Sequence, residues 1–169
     1  MGRFQFENMS KPRYHCVADI FLENEYHEVL MIKRALRKNV LPDCYNGIGG
    51  KIEPGETPLQ AILRETKEES GVNRVENLKM RAVLSVKDKF GFWQIYIFQG
   101  KILKKAAKVQ EISEGKLEWI KKSQLNKIKL VPDVKQWIDK MYQNPNSLIF
   151  ANIEYTPTYK LKKCKMYNL

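Results

Sequence analysis

Residues 50–72 read GKIEPGETPLQAILRETKEESGV, and inside them Glu65, Glu68 and Glu69 stand at i, i+3 and i+4. On a helix this spacing gathers three carboxylates on one face. Like charges placed there repel, and no structural gain offsets the repulsion. A bound divalent cation reverses the sign of that argument. Hard oxygen donors with no His or Cys among them suit Mg²⁺ or Mn²⁺. Mg²⁺ usually keeps several waters and shares its shell with substrate phosphates. Taken alone, such a triplet is more simply a solvated helix face; the residues at fixed distances around it decide otherwise.

The stretch also carries its own helix limits. Thr57 is placed to cap the start, and Pro58 fits the first turn. Leu59, Ile62, Leu63 and Thr66 form the more apolar side, away from the glutamates. Gly71 suits a left-handed C-terminal position. Ahead of the helix, Gly47, Gly49, Gly50 and Gly55 give a loop whose backbone can approach a metal or phosphate closely, or simply turn tightly.

Gly50, Glu56, Arg64, Glu65, Glu68, Glu69 and Gly71-Val72, in that order and spacing, resemble the signature of the Nudix hydrolases, which cleave nucleoside diphosphates linked to a further group. The seven of these that are Gly, Glu or Arg match by chance on the order of 10⁻⁸ per window, so the resemblance is specific. Thr66 departs from it, in a slot usually filled by an aliphatic residue. The resemblance implies an α+β chain with the Nudix α/β/α sandwich around a mixed, partly barrel-like sheet. It implies Glu65, Glu68 and Glu69 as ligands of Mg²⁺ or Mn²⁺, with the Gly50 carbonyl as a backbone ligand. Glu56 would support that shell, Arg64 would orient a glutamate through a bidentate pair, and Lys51 could contact phosphate. Glu114 matches a loop glutamate that binds metal or acts as base. Which glutamate takes the proton stays open.

Length and composition agree with one domain. The 169 residues suffice for a substantial core, and the 43% hydrophobic content is ordinary. No apolar run approaches a membrane span, and the N-terminus lacks a signal-peptide stretch, so a cytoplasmic protein without a membrane partner is expected. Residues 1–12 read as a short polar extension before a single domain at 13–169. Cys16, Cys44 and Cys164 have no metal-like spacing and are expected as reduced thiols. His15 and His27 receive no catalytic role. The net charge of +11 comes largely from lysines outside the box, as in residues 101–108 and 160–165. Long-range steering of anionic nucleotides is the preferred reading of that charge. A nucleic-acid partner is the alternative.

Alternation and turn residues predict strands at Tyr14–Leu22, Val29–Lys33, Lys79–Val86, Trp93–Gly100 and Leu117–Ile120. A second helix is predicted from Pro132 to about Tyr142, with Val134, Trp137, Ile138 and Met141 at helical spacing. Leu148–Tyr155 and Thr158–Lys165 alternate around Thr156-Pro157, which predicts a terminal hairpin.

Within the family, Tyr45-Asn46-Gly47-Ile48-Gly49-Gly50-Lys51 resembles the loop of enzymes that sanitise oxidised purine nucleoside triphosphates, an activity allied to DNA repair. The likeness continues through Glu114, Leu117–Ile120, Val131-Pro132-Asp133 and the aromatic hairpin. It implies that Asn46 and Asp133 hold the base, and that water attacks the β-phosphorus to release pyrophosphate. An Asn amide is both donor and acceptor, and a carboxylate accepts two N–H groups of a guanine edge. Val131 and Val134 stand where these relatives carry an aromatic residue and a second acid, so Trp93, Phe92 or Phe90 is needed as a stacking wall. Markers of ADP-ribose and dinucleoside polyphosphate enzymes are missing: no proline lies between Pro58 and Pro132, and Asp88, Lys89 and Phe90 occupy the tyrosine position. Another nucleoside diphosphate derivative as substrate (ADP-ribose, a dinucleoside polyphosphate or an RNA 5′ end), and a non-catalytic nucleotide- or RNA-binding module, remain as alternatives.

Overall fold

The computed structural model describes residues 13–168, so the expected extension at 1–12 lies outside the described residues. The fold follows from two apolar strands. β1 (Tyr14–Glu23) and β2 (Glu28–Arg34) are buried almost without interruption from Val17 to Leu22 and from Val29 to Ile32, apart from the half-covered Val17. Such runs occur where a strand is covered on both faces. Ala18, Ile20, Leu22, Leu30 and Ile32 point to one core; Phe21, Val29 and Met31 point to another.

Eight strands follow in space as β10-β9-β5-β6-β1-β2-β8-β7. The further ranges are β5 Glu76–Asp88, β6 Gly91–Lys101, β7 Glu111–Ile112, β8 Gly115–Lys121, β9 Ile149–Tyr155 and β10 Leu161–Asn168. β1 runs parallel to β6, β5 runs parallel to β9, and the remaining neighbours are antiparallel. The sheet is therefore mixed, and it stays open. It forks at β1, whose second edge serves β4 (Ile48–Lys51) along Val17–Ile20 and β2 at Leu22-Glu23. β3 (Tyr45–Asn46) pairs with β2 across the fork.

Helix α1 (Pro58–Ser70) covers one face through Ala61 and Ile62, and α2 (Val134–Gln143) covers the other through Val134, Trp137, Ile138 and Met141. This is the expected sandwich. Of the predicted elements, α2 starts two residues late because Pro132 and Asp133 form its lead-in. β10 starts three residues late because Thr156–Lys160 close the turn with Tyr159 at φ 59°. The glycine loop is not only a loop, since its residues form β3 and β4. No helix among the described residues is long and apolar enough to cross a membrane. Cys16, Cys44 and Cys164 carry free thiols.

Candidate active site

Helix α1 is fixed at both ends. The Thr57 hydroxyl accepts from the Gln60 amide, and the Gln60 side chain accepts from the Thr57 amide at 2.9 Å. Gly71 ends the helix at φ 72°, its N–H bonded to the Lys67 carbonyl. Thr66 is fully buried, and its hydroxyl has no partner among the described residues, the cost of a polar group in an aliphatic slot.

Arg64 gathers the acidic face. Its Nε and Nη2 donate to the two Glu56 carboxylate oxygens at 2.8 and 3.0 Å. Nη1 donates to Glu65 at 2.8 Å and Glu68 at 3.3 Å, and Nη2 also reaches the Lys51 carbonyl at 3.1 Å. The guanidinium and the Glu53 amide hold the Glu56 carboxyl down at about 2. Gly50 lies against Glu65: a Cβ there would sit 2.4 Å from Oε1.

Glu69 differs from its neighbours. Burial, then the charge of Glu65, pushes its carboxyl up to about 8; Asp19 and Glu114 add to the rise and the Gly49 amide opposes it. Its Oε2 is buried without a hydrogen-bond partner. Glu114, in the turn between β7 and β8, is paired with Lys38 at 2.6 Å. The Lys51 side chain is exposed at the end of β4.

Among the described residues, no three acidic, His or Cys side chains already converge as a metal cage. Glu65 and Glu68 are instead drawn onto Arg64. The donor chemistry nevertheless fits a hard cation: the acceptors gathered there are carboxylates and backbone carbonyls with no His or Cys among them, and the orphaned Glu69 oxygen lacks the positive partner that a cation supplies.

On the α2 side of the sheet, β1, β3, β5 and β6 enclose a cleft of about 370 Å³ whose lining includes Asp19, Asn46, Gly49, Trp93 and Asp133. Asp133 is buried. Its carboxylate accepts the Tyr155 hydroxyl in a short hydrogen bond and the Trp137 indole N–H at 3.2 Å, and burial raises its pKa. Trp93 stacks on His15 with centroids 4.3 Å apart, and its indole N–H is buried without a partner. Of the three aromatic residues expected as a wall, Trp93 and Phe90 line the cleft. Phe92 does not, because alternation turns it to the opposite face, where it stacks on Tyr14 at 5.4 Å.

Asp19 was not anticipated. It is 8% exposed, accepts from Asn46 Nδ2 at 3.3 Å, and is pushed up to about 7, chiefly by burial, with the Asn46 hydrogen bond opposing. Its one sequence signal was an acid inside the run Val17-Ala18-Asp19-Ile20-Phe21. Tyr155 and Tyr159, which also line the cleft, gave none.

An acidic, clamped helix beside a cleft on a mixed open sheet defines a class, and comparison with known proteins agrees. The family model of the NUDIX domain matches residues 13–143, and the chain belongs to the Nudix family. Members of this family generally use divalent metal ions. The chain is 37% identical over 98 residues to an RNA pyrophosphohydrolase of a Nitratiruptor species, covering 57% of each protein. It is 41% identical over 51 residues to the 8-oxo-dGTP diphosphatase of Escherichia coli, covering 30% of this chain and 39% of that protein. Against these two relatives the chain thus spans about half of their length or less. A MutT protein structure from Bacillus halodurans superposes with a TM-score of 0.76 at 25% identity, covering 90% of this chain and 97% of that one.

Proposed function

We propose that this chain is a metal-dependent pyrophosphohydrolase of oxidised purine nucleoside triphosphates, converting 8-oxo-dGTP to 8-oxo-dGMP and pyrophosphate. The observation that carries the reading is the cleft itself: Asn46 and Asp133, from distant parts of the chain, line one cavity that also includes Gly49, the neighbour of Gly50. The base occupies the cleft, with Trp93 as the stacking wall. The triphosphate extends past Gly49 and Gly50 toward α1, within reach of Lys51.

Glu65, Glu68, Glu69 and the Gly50 carbonyl would hold a divalent ion, which would supply charge neutralisation of the phosphate oxygens and acidification of the attacking water. Arg64 and Glu56 keep the first of these carboxylates in place. Glu114 takes the proton or completes the ligand set. Oxidation at the purine eight position turns the N7 acceptor into an N–H donor, and a pocket built for that donor leaves a polar group unpaired against guanine. The difference is roughly tenfold to a hundredfold in specificity. The kcat/KM ratio of 8-oxo-dGTP to dGTP tests this in wild type, Asn46→Ala and Asp133→Asn. The expected outcome is a high ratio in wild type that falls in both variants while metal-dependent turnover persists; a wild-type ratio near one overturns the assignment.

One observation favours a second reading, the 5′-triphosphate end of an RNA. The Nitratiruptor relative is named an RNA pyrophosphohydrolase. Triphosphorylated RNA in the same substrate panel separates the two.

A further inference from the structure

Asp19 reaches the cleft from the middle of β1, and the function proposed above does not use it. Val17 and Asp19 line the cleft while Ala18, Ile20 and Leu22 face α1. An apolar residue at position 19 would simply extend the wall that Val17 begins. A carboxyl there sacrifices hydration, and no cation among the described residues forms an ion pair with it. Arg34 also lines the cleft, but its Nε and Nη2 are spent on the Val40 carbonyl at 3.2 and 2.9 Å.

The carboxyl receives one side-chain hydrogen bond, from Asn46 Nδ2 to Oδ2. Its Oδ1 lies beside Gly49, where a Cβ would come within 2.6 Å of it, and has no side-chain partner among the described residues. Two things follow. The Asn46 amide is held with its nitrogen toward Asp19, which leaves the Asn46 Oδ1 and one N–H proton for a ligand. The Asp19 Oδ1 remains as an acceptor in the same cavity as Asp133.

We propose that Asp19 determines base specificity, acting with Asn46 as one hydrogen-bonding unit that selects purines with adjacent N–H donors, as in guanine-type bases, over adenine-type bases. The inference rests on the cleft being the base pocket. It does not depend on the oxidised base being the substrate. Guanine offers N1–H and N2–H side by side, to which the ionised Asp19 carboxylate is the matching acceptor, whereas adenine presents an unprotonated N1 that this ionised form repels. Replacing Asp19 by Asn supplies a donor for that N1 at unchanged shape, which relaxes the choice.

The test compares wild type, Asp19→Asn, Asn46→Ala and the double variant. Affinities for dGMP, 8-oxo-dGMP, dAMP and 8-oxo-dAMP are measured by calorimetry, and kcat and KM for the four triphosphates in magnesium. The expected result is a guanine-over-adenine ratio at least tenfold lower in Asp19→Asn, carried by KM and by monophosphate affinity, with kcat and melting temperature retained. The double variant should lose no more discrimination than the worse single one. An unchanged ratio in Asp19→Asn, or an equal fall of kcat for all four nucleotides with a lowered melting temperature, assigns Asp19 a structural role and overturns the proposal. A wild type that binds guanine and adenine monophosphates equally overturns it as well. A wild type that discriminates guanine from adenine but ignores the eight position instead sinks only the oxidised substrate.

Discussion

Glycine 50 shows how tightly single residues set this site. With a Cβ at 2.4 Å from Glu65 Oε1, Gly50→Ala pushes the carboxylate aside without touching the helix that carries it. Turnover should fall roughly tenfold to a hundredfold, the range for lost support of a metal ligand, with an unchanged circular dichroism spectrum; normal turnover would show that Glu65 needs no such placement. Glu68→Gln and Glu69→Gln each remove a charge from the proposed ligand set, so folded variants should need more magnesium, read as the midpoint of activity against metal concentration. A folded double variant with full turnover removes the metal assignment. The three glutamates were legible because helical periodicity makes neighbours in space out of residues three and four apart. Asp19 was not, because its hydrogen-bond partner arrives from β3 and the acid that repels it, Asp133, from just ahead of α2, and a strand's sequence says nothing of what faces it across a cleft. Phe92 was misplaced among wall candidates by the same gap: alternation separates it from Trp93, but only the fold says which face holds the cleft.

At the scale of elements, α1 was readable to its ends, because its cap, first-turn proline and left-handed glycine are local devices. Thr57→Ala should cost about 1 kcal/mol in denaturant titration, the usual worth of such a cap. A loss near zero would mean that packing of Ala61 and Ile62 alone holds the helix. β5 was read short at its start, since its pairing with β6 slips between Glu76 and Lys79 and again between Met80 and Ala82, with Asn77 at φ 49°. Such irregularities interrupt the alternation on which strand prediction rests. The junction of α2 with β9 is the tie between core and cleft, because the Tyr155 hydroxyl bonds both the Asp133 amide and its carboxylate. Tyr155→Phe should cost about 1–3 kcal/mol, the penalty of an unsatisfied buried acceptor. Discrimination among bases should loosen with it; a variant as stable and selective as wild type would show that the hydroxyl does not hold Asp133.

Over the whole molecule, two cores on opposite faces make the sandwich, and the mixed strand order was beyond reach of the sequence because parallel pairing joins distant segments. Three acids whose pKa burial raises, Asp133 and two others, give the fold a pH signature. Asp19 is pushed up to about 7 and Glu69 to about 8, so folding favours their protonated forms. That contribution is complete below the ordinary carboxylate range and is lost as pH rises through the folded values. The metal-free melting temperature should therefore decline between about pH 5 and 9, and magnesium should recover most of the loss at the alkaline end by taking the proton's place on Glu69. A profile that rises over this range, or ignores magnesium, contradicts the account. The charge of +11 makes a separate prediction: if it only steers nucleotides, association should slow with salt while single-stranded RNA binds weakly near physiological ionic strength. Submicromolar, salt-sensitive binding favours the RNA reading.

The parallel pairing of β1 with β6 also has a consequence in time. The strand at the centre of the sheet precedes the other described strands in the chain, yet its whole length, Tyr14 to Glu23, pairs with residues 92–101. β9 closes on β5 later still, and Ile149, Ala151, Ile153 and Tyr155 complete the core under Trp137, beyond the point at which the family match ends. On the ribosome, the most apolar segment thus waits for partners that have not been made. Loop closure over such distances is slow, so the sheet cannot assemble before β6 and β9 are made, and a chain stalled before β6 exposes the very strand that carries Asp19.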